Sequence, residues 1–257
     1  MDLGLAGNVA AVTGGSRGIG KAVCGCLATE GCHVSLCARD KAGLDRTVDE
    51  LRARGVRVHG VVADVTAPGA VERFLDETAT VFGEIHHLVA NVGGTVGAGF
   101  FEATPEDWAR TFDVNTLHAV RAIRAAVPHM TQPERSSIVI VASISGSKPG
   151  PRPQYGAAKA AEIFLAGALA LELAPRRIRV NTVSPGSILF PGGGWDRFRE
   201  QHPDRFENFV RQGFPWGRLG RADEVADAVT FLLSSRARWI NGANIPVDGA
   251  QGLPTAP

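Results

Sequence analysis

Short apolar runs recur along the chain, separated by longer stretches whose apolar positions repeat with a helical period. Runs of this length, rich in Val, Ile and Ala, read as strands buried on both faces. They fall at 8–13, 33–38, 56–63, 85–90, 137–142, 179–183 and 243–247. Helical patterns lie between them at 19–30, 41–54, 70–82, 105–129, 155–173 and 222–233. Strands alternating with helices predict an α/β fold. The expected form is a doubly wound, Rossmann-like parallel sheet with helices on both faces and right-handed crossovers. No repeat, low-complexity tract or Pro/Ser linker interrupts the pattern, so residues 1–257 read as a single domain.

One stretch departs from this rhythm. Residues 187–219 hold Phe190, Trp195, Phe198, Phe206, Phe209, Phe214 and Trp216, together with the flexible run Pro191-Gly192-Gly193-Gly194. The spacing predicts a hinged lid over the strand C-termini, with a short amphipathic helix from about 196 to 212. The competing reading is an ordinary helix whose aromatics complete the core.

Composition excludes several classes of partner. With 44% hydrophobic and 21% charged residues, the chain is an ordinary globular protein with enough length for a full core. A net charge of +1 creates no basic field for nucleic acid. No apolar run approaches the roughly 18 residues of a membrane helix. The start, Met1-Asp2-Leu3-Gly4, lacks the cationic and apolar segments of a signal peptide, so a cytoplasmic location is expected. Cys24, Cys26, Cys32 and Cys37 lack the paired spacing of a zinc site and read as small buried or half-buried residues; no metal is expected.

The first strand runs directly into Thr13-Gly14-Gly15-Ser16-Arg17-Gly18-Ile19-Gly20, which opens the first helix. Glycines there allow a tight turn and bring backbone N–H groups against a pyrophosphate. The second strand ends in Ala38-Arg39, where a carboxylate would select a free ribose hydroxyl. Arg39 and Arg17 instead form a pair able to clamp a 2′-phosphate, which favours NADP(H) over NAD(H). The plainer alternative makes Arg39 a surface residue paired with Asp40 or Asp45. Asp64, in the segment Asp64-Val65 closing the third strand, is positioned to accept from an adenine amino group or to cap the next helix. Asn91-Val92-Gly93-Gly94 closes the fourth strand, where glycine lets backbone lie against the ribose.

Tyr155 is the one tyrosine of the chain and precedes Lys159 by a helical turn. At i and i+4 a phenol and an ammonium share a face, and the cation stabilises the phenolate. A hydroxyl tuned in this way passes a proton to or from a substrate oxygen. Ser143 lies upstream in Ser143-Ile144-Ser145-Gly146-Ser147.

Taken together and in order, Thr13 to Gly20, Asp64, Asn91-x-Gly93, Asn115, Ser143, Tyr155-x-x-x-Lys159, Asn181 and Pro185-Gly186 resemble the short-chain dehydrogenase/reductase family over essentially the whole chain. Within that family the sequence is similar to the 3-oxoacyl-(acyl carrier protein) reductase branch. The resemblance implies that Tyr155 is the general acid/base and that Lys159 tunes it and binds the nicotinamide ribose. Ser143 would polarise the substrate carbonyl, and Asn115 would hold a water that relays protons to Lys159. Asn115 has a plainer reading too, as a helix-interior amide that bonds backbone and shapes a bend. Pro185, Gly186 and Ile188 would border the nicotinamide. Two positions depart from the family pattern: Ala90-Asn91-Val92-Gly93 replaces Asn-Asn-Ala-Gly, and Phe190 stands where a threonine normally bonds the carboxamide.

The expected activity is hydride transfer between NADP(H) and a ketone or secondary alcohol, as a carbonyl reductase. The substrate would be a bulky, partly apolar small molecule or a carrier-bound acyl group. An NAD-dependent alcohol or diol dehydrogenase is the alternative, followed by a non-catalytic dinucleotide-binding protein. An isomerase or dehydratase would need a further acid or base, and none is evident. The alanine-rich segment 155–173 suits close helix pairing, and the family resemblance implies a homotetramer.

Overall fold

The computed structural model describes residues 2–251. In chain order, β1 (Val9–Thr13), α1 (Gly18–Thr29), β2 (His33–Ala38), α2 (Lys41–Arg52), β3 (Val58–Val62) and α3 (Ala70–Phe82) form the first half. Next come β4 (His87–Ala90), α4 (Pro105–Phe112), α5 (His118–Ala126), β5 (Ser137–Val141), α6 (Pro153–Glu172) and β6 (Arg179–Pro185). The last part holds β7 (Ile188–Leu189), α7 (Gly194–Gln201), α8 (Pro203–Gly213), β8 (Gly220–Arg221), α9 (Ala222–Leu233) and β9 (Asn244–Val247). Seven strands form one parallel sheet in the order β3-β2-β1-β4-β5-β6-β9, as the apolar runs predict.

Each strand alternates its side chains between two cores. Ala10 and Val12 of β1 enter a cluster with Val23, Leu27, Leu44, Val48, Val225 and Val229, so α1, α2 and α9 cover that face. Ala11 faces the other cluster, which Phe74, Leu75, Ala119, Ala122 and Ala166 build from α3, α5 and α6. β1 pairs with both β2 and β4, so the strand order reverses at its C-terminal end. In a doubly wound sheet that reversal opens a crevice.

Local chemistry sets the starts of α2 and α4. Asp40 accepts from the N–H groups of Ala42 and Gly43 and begins α2. Thr104 and Asp107 form a reciprocal cap on α4, with Pro105 in its first turn. Two predicted helices are interrupted. The segment 105–129 divides into α4, a π-helical turn over Asp113–Leu117, α5 and a 3₁₀ turn at Val127–His129. Within it, the Asn115 amide donates to the carbonyls of Thr111 and Gly94, both at 2.6 Å, and competes with the regular backbone ladder. The segment 196–212, predicted as one helix, is two, because Pro203 supplies no N–H to continue α7. β7 and β8 escape sequence reading because two residues carry no pattern.

Among the described residues, no helix is long and apolar enough to cross a membrane. Cys24, Cys32 and Cys37 are buried, Cys26 is half-buried, and all four are free thiols. His86 and His87 are buried packing residues. His86 Nδ1 accepts from the Val9 N–H at 3.0 Å, and His87 lies between Asn8 and Ser137.

Burial, followed by neighbouring positive charge, pushes both His87 and His118 down to about 3. An unfolded histidine titrates near 6.5. Between that pH and about 3 the unfolded chain therefore binds protons that the folded chain does not. Stability present above about 6.5 should fall with pH through this window, by up to about 1.4 kcal/mol per unit for each histidine. Urea unfolding between about pH 7 and 5 checks this; stability that stays level or rises on acidification contradicts it.

Candidate functional site

The reversal point of the sheet is built around glycines that leave no space for a side chain. Gly14 and Gly18 have φ of +68° and +55°, in the left-handed region. A Cβ on Gly20 would lie 2.2 Å from the Gly14 carbonyl oxygen. The Asn91 amide donates to the carbonyls of Thr13 at 2.9 Å and Gly14 at 3.3 Å, which ties β4 to the turn. Val92 leans on Gly14, so the bulkier residue of that segment fills space beside the turn. Ser16 lies in the turn, and its carbonyl accepts from Thr47. Ile19 packs its side chain on the core. No side chain caps α1 and no acidic residue lies in its first turn, so its leading N–H groups present an uncompensated positive end. An anionic group fits this cradle.

Arg17 and Arg39 are both exposed at the edge of the cradle. Arg39 pairs with neither Asp40 nor Asp45: Asp40 caps α2 and Asp45 binds Lys41 at 2.6 Å. Its nearest carboxylate is Asp64, at 3.9 Å. Asp64 does not cap α3, whose N-cap is Gly69. Its carboxylate accepts from the backbone N–H and hydroxyl of Thr66, at 2.9 and 2.7 Å, and those bonds hold it below the usual carboxylate range. The Val65 side chain is buried, and its carbonyl accepts from Arg121 at 3.1 Å.

Gly93, Asn115 and Lys159 meet at one point. A Cβ on Gly93 would lie 2.7 Å from Asn115 Oδ1 and 2.8 Å from Lys159 Nζ. Asn115 bonds Thr111 and both backbone groups of Gly94, so its amide serves backbone, as the plainer reading predicts. Lys159, with a side chain only 2% exposed, donates to the Val141 carbonyl at 3.0 Å and to Glu162 at 2.9 and 3.2 Å. Burial works against the ammonium. The Glu162 carboxylate, and after it the Tyr155 oxygen, overcome that penalty and hold Lys159 above the ordinary lysine range. Tyr155 is half-buried, with its ring centroid 5.8 Å from Nζ.

Ser143 is buried at the end of β5, and its oxygen accepts from the Ser145 N–H at 3.1 Å, which leaves its proton available to donate. The turn it caps lies directly on α6: a Cβ on Gly156 would lie 2.9 Å from the Ser145 carbonyl oxygen, and one on Gly146 2.8 Å from the Ala160 nitrogen. The turn that follows Ser143 thus packs on the part of α6 that carries Tyr155 and Lys159.

Pro185 ends β6, and Gly186 packs against Asp248 and Gln251, with its N–H donating to the Val247 carbonyl at 3.1 Å. Ile188 buries its side chain, and β7 pairs with β8. The Phe190 ring covers Gly18, within 2.8 Å of where a Cβ would stand. The lid aromatics pack mainly on one another: Trp195 stacks on Phe209 at 4.4 Å, and Phe209 meets Phe214 edge-on at 5.2 Å. A cavity of about 870 Å³ lies beneath them, lined by Phe190, Phe206, Val210 and Phe214 but not by Ser143, Tyr155 or Lys159. His202 stacks obliquely on Phe198 within the lid.

Sequence reading missed three residues of this region. Gln154 donates to the carbonyls of Val96 and Ala98, at 3.0 and 3.1 Å, and ties the loop after β4 to α6. His118 places Nε2 2.9 Å from Thr13 Oγ1, while its Nδ1 is buried without a hydrogen-bond partner. Glu162 is the third; its spacing from Lys159 was the available signal. Among the described residues, no group of three or more His, Cys, Asp or Glu side chains is arranged to hold a metal.

Residues 14–250 match the protein family described as enoyl-(acyl carrier protein) reductase. The 3-oxoacyl-[acyl-carrier-protein] reductase of Escherichia coli K12 is 35% identical over 244 residues, covering 95% of this chain and 96% of that protein. L-sorbose reductase from Gluconobacter frateurii, solved with NADPH and L-sorbose, has a TM-score of 0.91 at 33% identity, with 100% of both chains covered. NAD⁺-bound xylitol dehydrogenase has a TM-score of 0.88 at 31% identity, over 95% of this chain and 99% of that one. The chain belongs to the short-chain dehydrogenase/reductase family, NAD(P)-dependent oxidoreductases acting on CH–OH groups.

Gly18→Ala tests the crowding at the turn. Its positive φ and the overlying Phe190 ring should together lower stability by about 1–2 kcal/mol. The penalty should shrink in a Phe190→Ala background. Equal penalties in both backgrounds, measured by denaturant unfolding, would show that the ring plays no part.

Proposed function

We propose that this chain is an NADP(H)-dependent carbonyl reductase that interconverts a ketone and a secondary alcohol, with Tyr155 as general acid/base. The observation that carries the reading is the buried Lys159 ammonium 5.8 Å from the ring of the sole tyrosine, on a helix against which the turn capped by Ser143 packs. The cradle residues Gly14, Ser16, Gly18, Ile19 and Gly20 would hold the pyrophosphate. Asp64 and Val65 would border the adenine, Asn91 and Gly93 the ribose, and Pro185, Gly186 and Ile188 the nicotinamide. From β2 to β5 is three inter-strand steps, roughly 14 Å, a span that suits an extended dinucleotide. When bound, the dinucleotide supplies or accepts the hydride. Ser143 then donates a hydrogen bond to the substrate carbonyl, Tyr155 moves the proton at the same oxygen, and Lys159 stabilises the phenolate. Asn115, its amide committed to backbone, would hold a relay water through its remaining backbone capacity.

NADP(H) is favoured because Asp40, the carboxylate nearest the end of β2, is spent on capping α2, whereas Arg17 and Arg39 are exposed. The alternative is an NAD-dependent alcohol or diol dehydrogenase, a reading that the 31% identity to NAD⁺-bound xylitol dehydrogenase keeps open. Reduction is the proposed direction. Segment 187–219 is the proposed lid, and its aromatic side chains favour a bulky, partly apolar ketone. Similarity to the E. coli reductase supports a carrier-bound acyl substrate as one form of it. A cytoplasmic homotetramer fits this reading, and Phe164 and Leu171, both exposed on α6, supply apolar surface for helix pairing.

Replacing the phenol should separate chemistry from binding. Tyr155→Phe should lower kcat by at least about 100-fold on a ketone found by screening with NADPH. Dinucleotide affinity should change little, and a kcat near the wild-type value would remove Tyr155 from the mechanism. Arg39→Ala should weaken NADPH about tenfold while leaving NADH unchanged. Titrations in which both dinucleotides bind equally to both proteins would reverse the cofactor assignment.

A further inference from the structure

Glu162 is buried on α6, and neither the cradle nor the proton donor has a use for it. It lies on the helix face formed by Ala158, Glu162, Ala166 and Ala170, where an alanine would continue the stripe. Its side chain is 1% exposed. Isolating a carboxylate at that depth is strongly unfavourable: burial pushes the carboxyl up, and among the described residues the group that pulls it back is the Lys159 ammonium, at 2.9 and 3.2 Å. The third anchor of that ammonium is the Val141 carbonyl of β5, at 3.0 Å. The cation beside Tyr155 is therefore one half of a buried ion pair.

The ionisable groups facing this pair are few. Tyr155 lies on the same helix, and α5 contributes His118, which burial and then Lys159 keep neutral. Arg121 lies beyond His118 and is paired with Asp113 at 2.9 Å. β5 and the 3₁₀ turn at Ile144–Gly146 present no titratable side chain. On β6, Arg179 is occupied by the carbonyls of Leu232, Leu233 and Ser234. On α4, Glu106 and Arg110 are exposed and Asp107 is engaged with Thr104.

We propose that Glu162 is a positioning residue of the proton-transfer site: it clamps the Lys159 ammonium against β5 and offsets its field at Tyr155. A lone ammonium would make the phenol a stronger acid. With Glu162 as counterion, that pull on the phenol proton is weaker than a lone ammonium would exert. The inference rests on the reading of Tyr155 as the acid and gives that reading a direction, because a retained phenol proton serves ketone reduction.

The chain has one tyrosine, so the near-ultraviolet absorbance of tyrosinate reports Tyr155 alone, without cofactor or turnover. Glu162→Gln, close in shape, should lower the midpoint of that titration by about one pH unit relative to wild type. The alkaline limb of kcat for ketone reduction should move in the same direction. Glu162→Asp, which keeps the charge but withdraws it, should give an intermediate midpoint, and it carries the comparison if the Gln variant does not fold. A midpoint equal to or above wild type overturns the proposal: an equal value makes the pair purely structural, and a higher one means the carboxylate chiefly keeps Lys159 protonated. Tyr155→Phe distinguishes the two levels. If that variant is inactive while the titration is insensitive to Glu162, only this inference fails; if it is active, the reading beneath it fails.

Discussion

An ammonium inside a protein must be matched by an anion, by oriented carbonyls, or by both. Lys159 has both, and the conformations around it follow from satisfying them. Gly93 must lack a side chain because Nζ and the Asn115 amide already occupy the space where one would stand. Asn115 is drawn onto Gly94 and Thr111, and the helix through it opens into a π turn. His118, one turn further on, is held neutral by burial and by the same cation. The buried charge and the Asn115 amide together account for the glycine, and the charge adds to burial in keeping His118 neutral.

Sheet topology decides where that charge sits. Because β1 is flanked by β2 and β4, the glycine turn after β1 and the Asn91 segment after β4 open at the same edge of the sheet. β5 carries Ser143 to the same edge, and α6 returns across it with Tyr155 and Lys159. Residues separated by more than a hundred positions in the chain meet because parallel strands all end on one side. Segment 187–219 is organised differently, with several of its aromatics stacked on one another.

Much of this was legible in the chain. The seven apolar runs appear as the seven strands of the sheet, with small differences at their ends. A bend at Asn115 was legible in segment 105–129, but its full division was not, because that depends on the amide of Asn115 reaching a loop that only folding brings near. The division of the lid at Pro203 was visible in principle, since proline lacks the donor a continuing helix needs. Asp64 reads in the sequence as an acceptor for an adenine amino group or as a helix cap; the fold sets it on Thr66, which supplies two donors, and gives the cap of α3 to Gly69.

Periodicity, the glycine turn and the spacing of Tyr155 from Lys159 are local properties, and they determined the fold class and the candidate acid with its cation, while the ordered set of motifs carried the family resemblance. Partnerships across space were decided only by tertiary structure. These include Glu162 with Lys159, Gln154 with the loop after β4, Phe190 over Gly18, and Arg39 released from the carboxylates next to it in sequence. The physical reason is range. Backbone propensity and side-chain periodicity act within a few residues, whereas desolvation of a charge is set by whatever the completed fold packs around it.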